Sequence, residues 1–193
     1  MLHKACHSIR RIPSCLPLHT TGKEGLKMTY TWLVTGSSSG FGRSITEAAL
    51  KNGDKVIATL RKPSDLDSLA ASSSSSQLLV LKCDISSESD IRNAIEKGLA
   101  KFGTIDVVFN NAGFAILGEA ESTPNDAAKQ LFDVNFWGAA YVSREAVRIL
   151  GFSACSYYCA SKFALEGFTE SLAQELDPSW NINDSEPQDD SKP

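Results

Sequence analysis

The sequence predicts a doubly wound parallel α/β sheet. Three observations carry that expectation. Short apolar runs rich in β-branched residues alternate with helix-spaced patterns from Tyr30 onward. A glycine-rich turn, Thr35-Gly36-Ser37-Ser38-Ser39-Gly40-Phe41-Gly42, joins the first run to the first helix. The fourth run, residues 105–109, is almost wholly apolar, as suits a central strand covered on both faces. Four β–α units in succession imply right-handed crossovers, and they put a ligand beyond the carboxyl ends of the strands.

The elements follow in order. Residues 30–35 form the first strand. The helix after it carries Ile45, Ala48 and Ala49 at helical spacing and stops at Asn52-Gly53, a C-terminal cap. Lys55–Leu60 is the second strand. Pro63 opens a short helix over residues 63–70, and the serine run 72–76 is a surface loop. Leu78–Lys82 is the third strand. Ser86 or Ser87 caps the next helix, whose Ile91, Ile95 and Leu99 form one stripe and which Gly103 ends. Thr123-Pro124 starts a long helix that reaches at least Arg144.

Composition narrows the function classes. The 193 residues suffice for one well-cored domain with tails, at 42% hydrophobic and 22% charged. A net charge of −4 argues against a nucleic-acid partner, and there is no apolar run of membrane-spanning length. Cysteines 6, 15, 83, 155 and 159 are irregularly spaced. Cys155 and Cys159 lack further ligands nearby, so no metal site is expected, and free thiols suit the cytoplasm. Residues 1–27 read as a basic, unstructured extension, with no acid before Glu24. A mitochondrial presequence is the alternative, although Pro13 and Pro17 would break its helix. Residues 28–182 read as the folded domain, and residues 183–193 as an acidic, disordered tail.

Two patterns carry chemistry. In the glycine-rich turn Gly36 permits the bend, Gly40 lets the backbone approach a pyrophosphate, and Gly42 allows close packing of the helix. Ser38 and Phe41 lie in the same turn, whose helix offers N–H groups and a positive dipole end to phosphates. The second strand ends in Leu60-Arg61-Lys62, without the acid that would hold the ribose 2′-hydroxyl of NAD. Arg61 suits a 2′-phosphate, which favours NADP over NAD. The second pattern is Tyr158-Cys159-Ala160-Ser161-Lys162. Residues four apart share a helix face, and the lysine ammonium lowers a phenol pKa that is otherwise near 10, which suits a general acid or base. Alone, such a pair is more often an ordinary surface helix.

The glycine-rich turn, Asn110-Asn111-Ala112-Gly113 after the fourth strand, and Tyr158 with Lys162, in this order, resemble the short-chain dehydrogenase/reductase family over roughly residues 29–182. The resemblance implies a Rossmann-like, three-layer αβα fold and hydride transfer between NADP(H) and a small-molecule carbonyl or alcohol. It assigns Asp84 to the adenine and residues 110–113, with Asn111, to the adenine ribose. Asn135 would kink the long helix and hold a water of the proton relay. Tyr158 would exchange the proton, and Lys162 would bind the nicotinamide ribose. In the family the long helix and the tyrosine helix often form a dimer interface.

The sequence also departs from the family pattern. A serine is expected before the tyrosine, at the end of a fifth strand, but the corresponding position is Glu145. Two arrangements remain open. The long helix runs to about Leu150 and no fifth strand forms, or it stops near Arg144 and residues 147–152 form a short strand with Ser153 near its top. After Ile182 the family's sixth strand, Pro-Gly loop and lid are not recognisable. The expectation is a sheet incomplete in its second half and impaired catalysis. The alternatives are a catalytically inactive dinucleotide-binding fragment or a helix-mediated interaction protein.

Overall fold

Four strands, β2 (Thr31–Thr35), β3 (Lys55–Leu60), β4 (Leu78–Lys82) and β5 (Val107–Asn110), pair in parallel in the order β5-β2-β3-β4. They are seen in a computed structural model that describes residues 7–10 and 29–150, with Ala160, Ala164, Leu165, Gly167, Phe168, Ser171 and Leu172.

Successive strand residues point into opposite layers, and both layers are apolar. Leu33, Ile57 and Val108 pack with Ile91 and Ile95 of α3 (Glu88–Phe102) and with Val142 and Ala146 of α5 (Ala139–Leu150). Val34, Val56 and Ala58 pack on the other face with Ala49 of α1 (Gly40–Asn52) and Leu66 of the 3₁₀ turn Pro63–Leu66. Each fully buried aliphatic side chain contributes about 1.5–3 kcal/mol. This is the doubly wound architecture that the alternating pattern predicts.

Strands apolar on both faces carry little register information, because a one-residue slip leaves them equally apolar. Two aspartates supply it at the amino ends of the strands. Asp54, just before β3, accepts the Tyr30 N–H at 3.0 Å, the Trp32 indole N–H at 3.2 Å and the Asn52 amide at 3.1 Å. Asp106, just before β5, accepts the Thr31 N–H at 2.9 Å and the Thr104 hydroxyl at 3.0 Å. Both neighbours of β2 are thereby tied to its first residues.

The helix boundaries match the sequence signals where a cap is present. α1 stops at Gly53 and α3 at Gly103, and the Ser87 hydroxyl caps α3 by accepting the Asp90 N–H at 3.2 Å. The segment after Pro63 divides into the 3₁₀ turn and α2 (Asp67–Ser72). The long helix is also divided. α4 (Asn125–Phe132) leads into a π-helical stretch, Asp133–Gly138, and then α5. α5 continues through Leu150, as the first of the two arrangements expects of the long helix, and residues 147–150 are helical rather than part of a strand. Ser153 lies outside the described residues.

The amino-terminal segment also corrects an expectation. Residues 7–10, assigned to an unstructured extension, form β1 (His7–Arg10), antiparallel to β5 with His7 opposite Asn110 and Arg10 opposite Val107. The open backbone groups of an edge strand pair with any extended segment, whatever its hydrophobic pattern.

The chain divides into two compact units, residues 1–116 with 125–151 and residues 117–124 with 152–193. In the second, the Ser122 and Thr123 hydroxyls and N–H groups all bond to the Glu119 carbonyl. Its described positions from Ala160 to Leu172 are helical.

The clamp at Asp54 yields a prediction. Asp54→Ala removes the acceptor that three donors share and should cost about 2–3 kcal/mol in urea unfolding followed by circular dichroism. Glu96→Ala, on the exposed face of α3, should change stability by less than about 0.5 kcal/mol.

Candidate functional site

A cavity of about 480 Å³ opens at the carboxyl ends of the parallel strands, with Gly36, Ser38, Arg61, Asp84, Asn111 and Phe114 among its lining. It lies where strand order reverses, with β3 on one side of β2 and β5 on the other. The loops leaving β2 and β5 diverge at such a point and leave a crevice.

The walls of that crevice are fixed by two side chains. The Thr35 hydroxyl accepts the N–H groups of Asn111 at 3.0 Å and Ala112 at 3.1 Å, and donates to the Phe109 carbonyl at 3.4 Å. The Asn111 amide donates back to the carbonyls of Thr35 at 3.0 Å and Gly36 at 3.1 Å. Two glycines make the approach possible. Gly36 turns with φ 66°, and a Cβ there would lie 2.8 Å from the Ala112 Cα. A Cβ on Gly42 would overlap the Gly36 carbonyl and lie 2.5 Å from the Asn111 amide nitrogen. The fully buried Ser37 anchors the bend, its hydroxyl donating to the Val34 carbonyl at 2.9 Å and its N–H to the Thr59 carbonyl at 3.1 Å.

α1 begins at Gly40, and its N-cap residue Ser39 makes no side-chain capping bond. The first N–H groups of a helix have no partner within the helix and attract anions. Gly36 and Gly42 let the two loops and α1 close up on one another, and with this uncapped helix end beside the cavity the turn fits a pyrophosphate.

The rim carries charge of both signs. Arg61 follows β3 and is exposed. Asp84 follows β4, and its Oδ1 accepts the Ser86 hydroxyl at 2.7 Å and the Ser86 N–H at 3.0 Å. The hydroxyl bond first and the backbone bond second hold the Asp84 carboxyl below its ordinary range; burial opposes them, and the nearby Arg61 charge adds a smaller lowering effect. Cys83, also in the lining, is the reverse case. Burial, aided by the Asp90 and Asp84 carboxylates, pushes its thiol up to about 12, so it stays protonated and unreactive at neutral pH.

At the end of β5, the Asn110 amide donates to the Ala139 carbonyl at 3.3 Å and the Ser143 hydroxyl at 3.0 Å, tying the sheet to α5. Asn135 lies in the π-helical stretch. Its oxygen accepts the Phe114 N–H at 3.0 Å, and its amide donates to the Phe114 carbonyl at 2.7 Å.

Of the residues singled out in the sequence, Gly36, Ser38, Arg61, Asp84 and Asn111 meet in one cavity. Gly40, Phe41 and Gly42 form the first turn of α1, with Phe41 exposed. Asn135 reaches the cavity through Phe114. Tyr158 and Lys162 lie outside the described residues. Thr35, Ser86 and Phe114 were not foreseen as site residues. A threonine before the first glycine and a serine two after Asp84 were the available signals, the latter the mark of an Asx turn. Among the described residues no group of three His, Cys, Asp or Glu side chains could hold a metal ion, and no helix is long and apolar enough to cross a membrane.

A glycine-rich first turn at the switch point of a parallel sheet defines a dinucleotide-binding α/β domain. The chain belongs to the short chain dehydrogenase family, whose sequence model matches residues 31–151, and the cofactor of that family is a nicotinamide dinucleotide. An uncharacterized oxidoreductase of Schizosaccharomyces pombe is 37% identical over 177 residues, covering 81% of this chain and 59% of that protein. A short-chain dehydrogenase from Streptomyces avermitilis superposes with a TM-score of 0.62 at 34% identity, over 77% of this chain and 61% of that one. The 3-ketoacyl-(acyl-carrier-protein) reductase from Brucella melitensis, complexed with NADH, gives 0.59 at 30% identity, over 62% and 49%. The chain spans 58–61% of the length of the first three curated relatives it matches.

Asp84 offers a titration test. Its folded pKa lies below the unfolded one, so the carboxylate contributes stability above the unfolded value and loses it as pH falls through the folded value. Ser86→Ala removes the largest cause. An NMR titration of the Asp84 carboxyl should show its pKa rising toward the ordinary range, and the variant should lose less stability than the unaltered chain on acidification.

Proposed function

We propose that this chain binds NADP(H) at the switch-point cavity and serves hydride transfer between it and a small-molecule carbonyl or alcohol. The observation that carries this reading is the cross-bonded pair of loops at Thr35 and Asn111, with no room for a Cβ at Gly36 or Gly42. Gly36, Ser38, Gly40, Phe41 and Gly42 hold the pyrophosphate against the start of α1. Asp84 takes the adenine, Asn111 stands at its ribose, and Arg61 pairs with the 2′-phosphate. When bound, the nicotinamide supplies the hydride.

The chain's own residues supply position and the proton. Tyr158 exchanges the proton with the substrate oxygen. Lys162 holds the nicotinamide ribose and lowers the tyrosine pKa. Asn135 acts by fixing the Phe114 backbone beside the cavity. The Brucella reductase, named for a ketone substrate, supports the carbonyl side of the reaction. It is complexed with NADH, so the preference for NADP rests on Arg61 and the absence of an acid at the end of β3. Phe132 and Trp137 are exposed on the long helix, and Leu165 and Phe168 are exposed in the second unit; each pair by itself favours a homo-oligomer through its own element. A buried free thiol at Cys83 agrees with a cytoplasmic setting.

A second reading, dinucleotide binding with little or no turnover, is favoured by α5. Glu145 occupies the position where the family carries its serine. It is helical, buried, and paired with Arg92 at 3.7 Å.

Two measurements test these readings. Arg61→Ser should weaken NADPH binding by about tenfold or more while leaving NADH within about twofold, as fluorescence titration would read. Equal losses for both cofactors would remove the case for NADP. With NADPH and a panel of aldehydes and ketones, turnover that falls by about 10²–10⁴ in Tyr158→Phe supports the oxidoreductase. NADPH binding with no turnover above the Tyr158→Phe background supports the second reading.

A further inference from the structure

The outer edge of β5 is a strand-binding site, and its occupant is unusual for this architecture. α3 and α5 pack on the same face of the sheet, where Val142 and Ala146 meet Val108. The crossover from β4 through α3 moves outward past β3 and β2 to β5. A right-handed crossover leaving β5 by that face moves outward again, so the strand it delivers lies parallel on the far edge of β5. That edge is held by β1, which comes from the opposite end of the chain and runs antiparallel.

We infer that residues 7–10 are an edge plug, an amino-terminal strand that takes the place of the next parallel strand and excludes any other strand from β5. Three observations support it. The pairing covers every residue of β5, from Arg10 opposite Val107 to His7 opposite Asn110. β5 flanks the switch point, so the plug braces the strand whose end carries Asn110 and Asn111. The fit is also incomplete at that end: Asn110 Oδ1, opposite His7, is buried and makes no hydrogen bond. β1 thus meets the backbone ladder without meeting the acceptor at its top, as expected of a substitute strand. An uncovered β5 would offer an open ladder to other chains. The inference is independent of which cofactor the cavity takes.

Amide hydrogen exchange tests it. Three forms are compared: the full chain, a chain lacking residues 1–27, and the full chain carrying Ser8→Pro with Ile9→Pro. Successive amides point to opposite edges, so the double change removes whichever of the two faces β5. Exchange should rise about tenfold or more, in both altered chains, at those amides of residues 107–110 that face β1, with the amides facing β2 and those of β3 unaffected. A synthetic peptide of residues 5–12 should restore protection to the shortened chain. Equal protection at 107–110 in all three forms would overturn the inference.

A cross-link in the full-length chain keeps the test open if the altered chains fail to fold. With Cys6→Ser to remove a competing thiol, Ser8→Cys and Phe109→Cys face each other across the ladder. Oxidation should join them within one chain. Their failure to join, or joining only between chains, would overturn the inference.

Discussion

The hydroxyl of Thr35 and the carboxamide of Asn111 hold the cavity walls together where the sheet changes direction. β3 follows β2 to one side and β5 lies on the other, so the loops above them diverge and would otherwise leave a soft crevice. Five hydrogen bonds through these two side chains convert it into a fixed one. Each contributes only about 0.5–1.5 kcal/mol net, but each is also directional, and together they set the backbone of both walls. Gly42 completes the arrangement by bringing the first turn of α1 against the Gly36 carbonyl. A pyrophosphate approaching this turn meets backbone rather than side chain.

The opposite ends of the strands face a different problem with a similar answer. Burial on both faces drives the strands together but is indifferent to their register. Asp54 and Asp106 reach from the starts of β3 and β5 to the first N–H groups of β2 and align the strands from below. The carboxyl ends are then level enough for Arg61, Asp84 and Asn111, on three different connections, to share one cavity. The apolar core supplies cohesion, and polar side chains at the two ends supply position.

Much of this was legible in the sequence because it is local. β3 and β4 are strong β-branched or aliphatic runs, and their limits match the pattern. Gly53 and Gly103 mark helix ends through their own backbone chemistry. Features that rest on distant partners were less legible. β1 is a short, mixed segment that becomes a strand only because β5 offers an edge. The irregularity of the long helix at Asn135 was expected from the family resemblance, but the two bonds of its side chain to the Phe114 backbone were not. The continuation of α5 to Leu150 was one of two arrangements the sequence left open, and burial of Val142 and Ala146 against the sheet accompanies it. The proton-transfer pair Tyr158 and Lys162 rests on spacing and family resemblance alone.

The central claim is that the crevice fixed by Thr35 and Asn111 is where the dinucleotide binds. The most direct measurement is hydrogen exchange with and without saturating NADPH. Slower exchange should appear in the glycine-rich turn and first turn of α1, residues 36–43, and in residues 84–86 and 111–114 on the other connections. NADPH that fails to bind, or that binds and protects other segments while leaving these unchanged, would contradict the account.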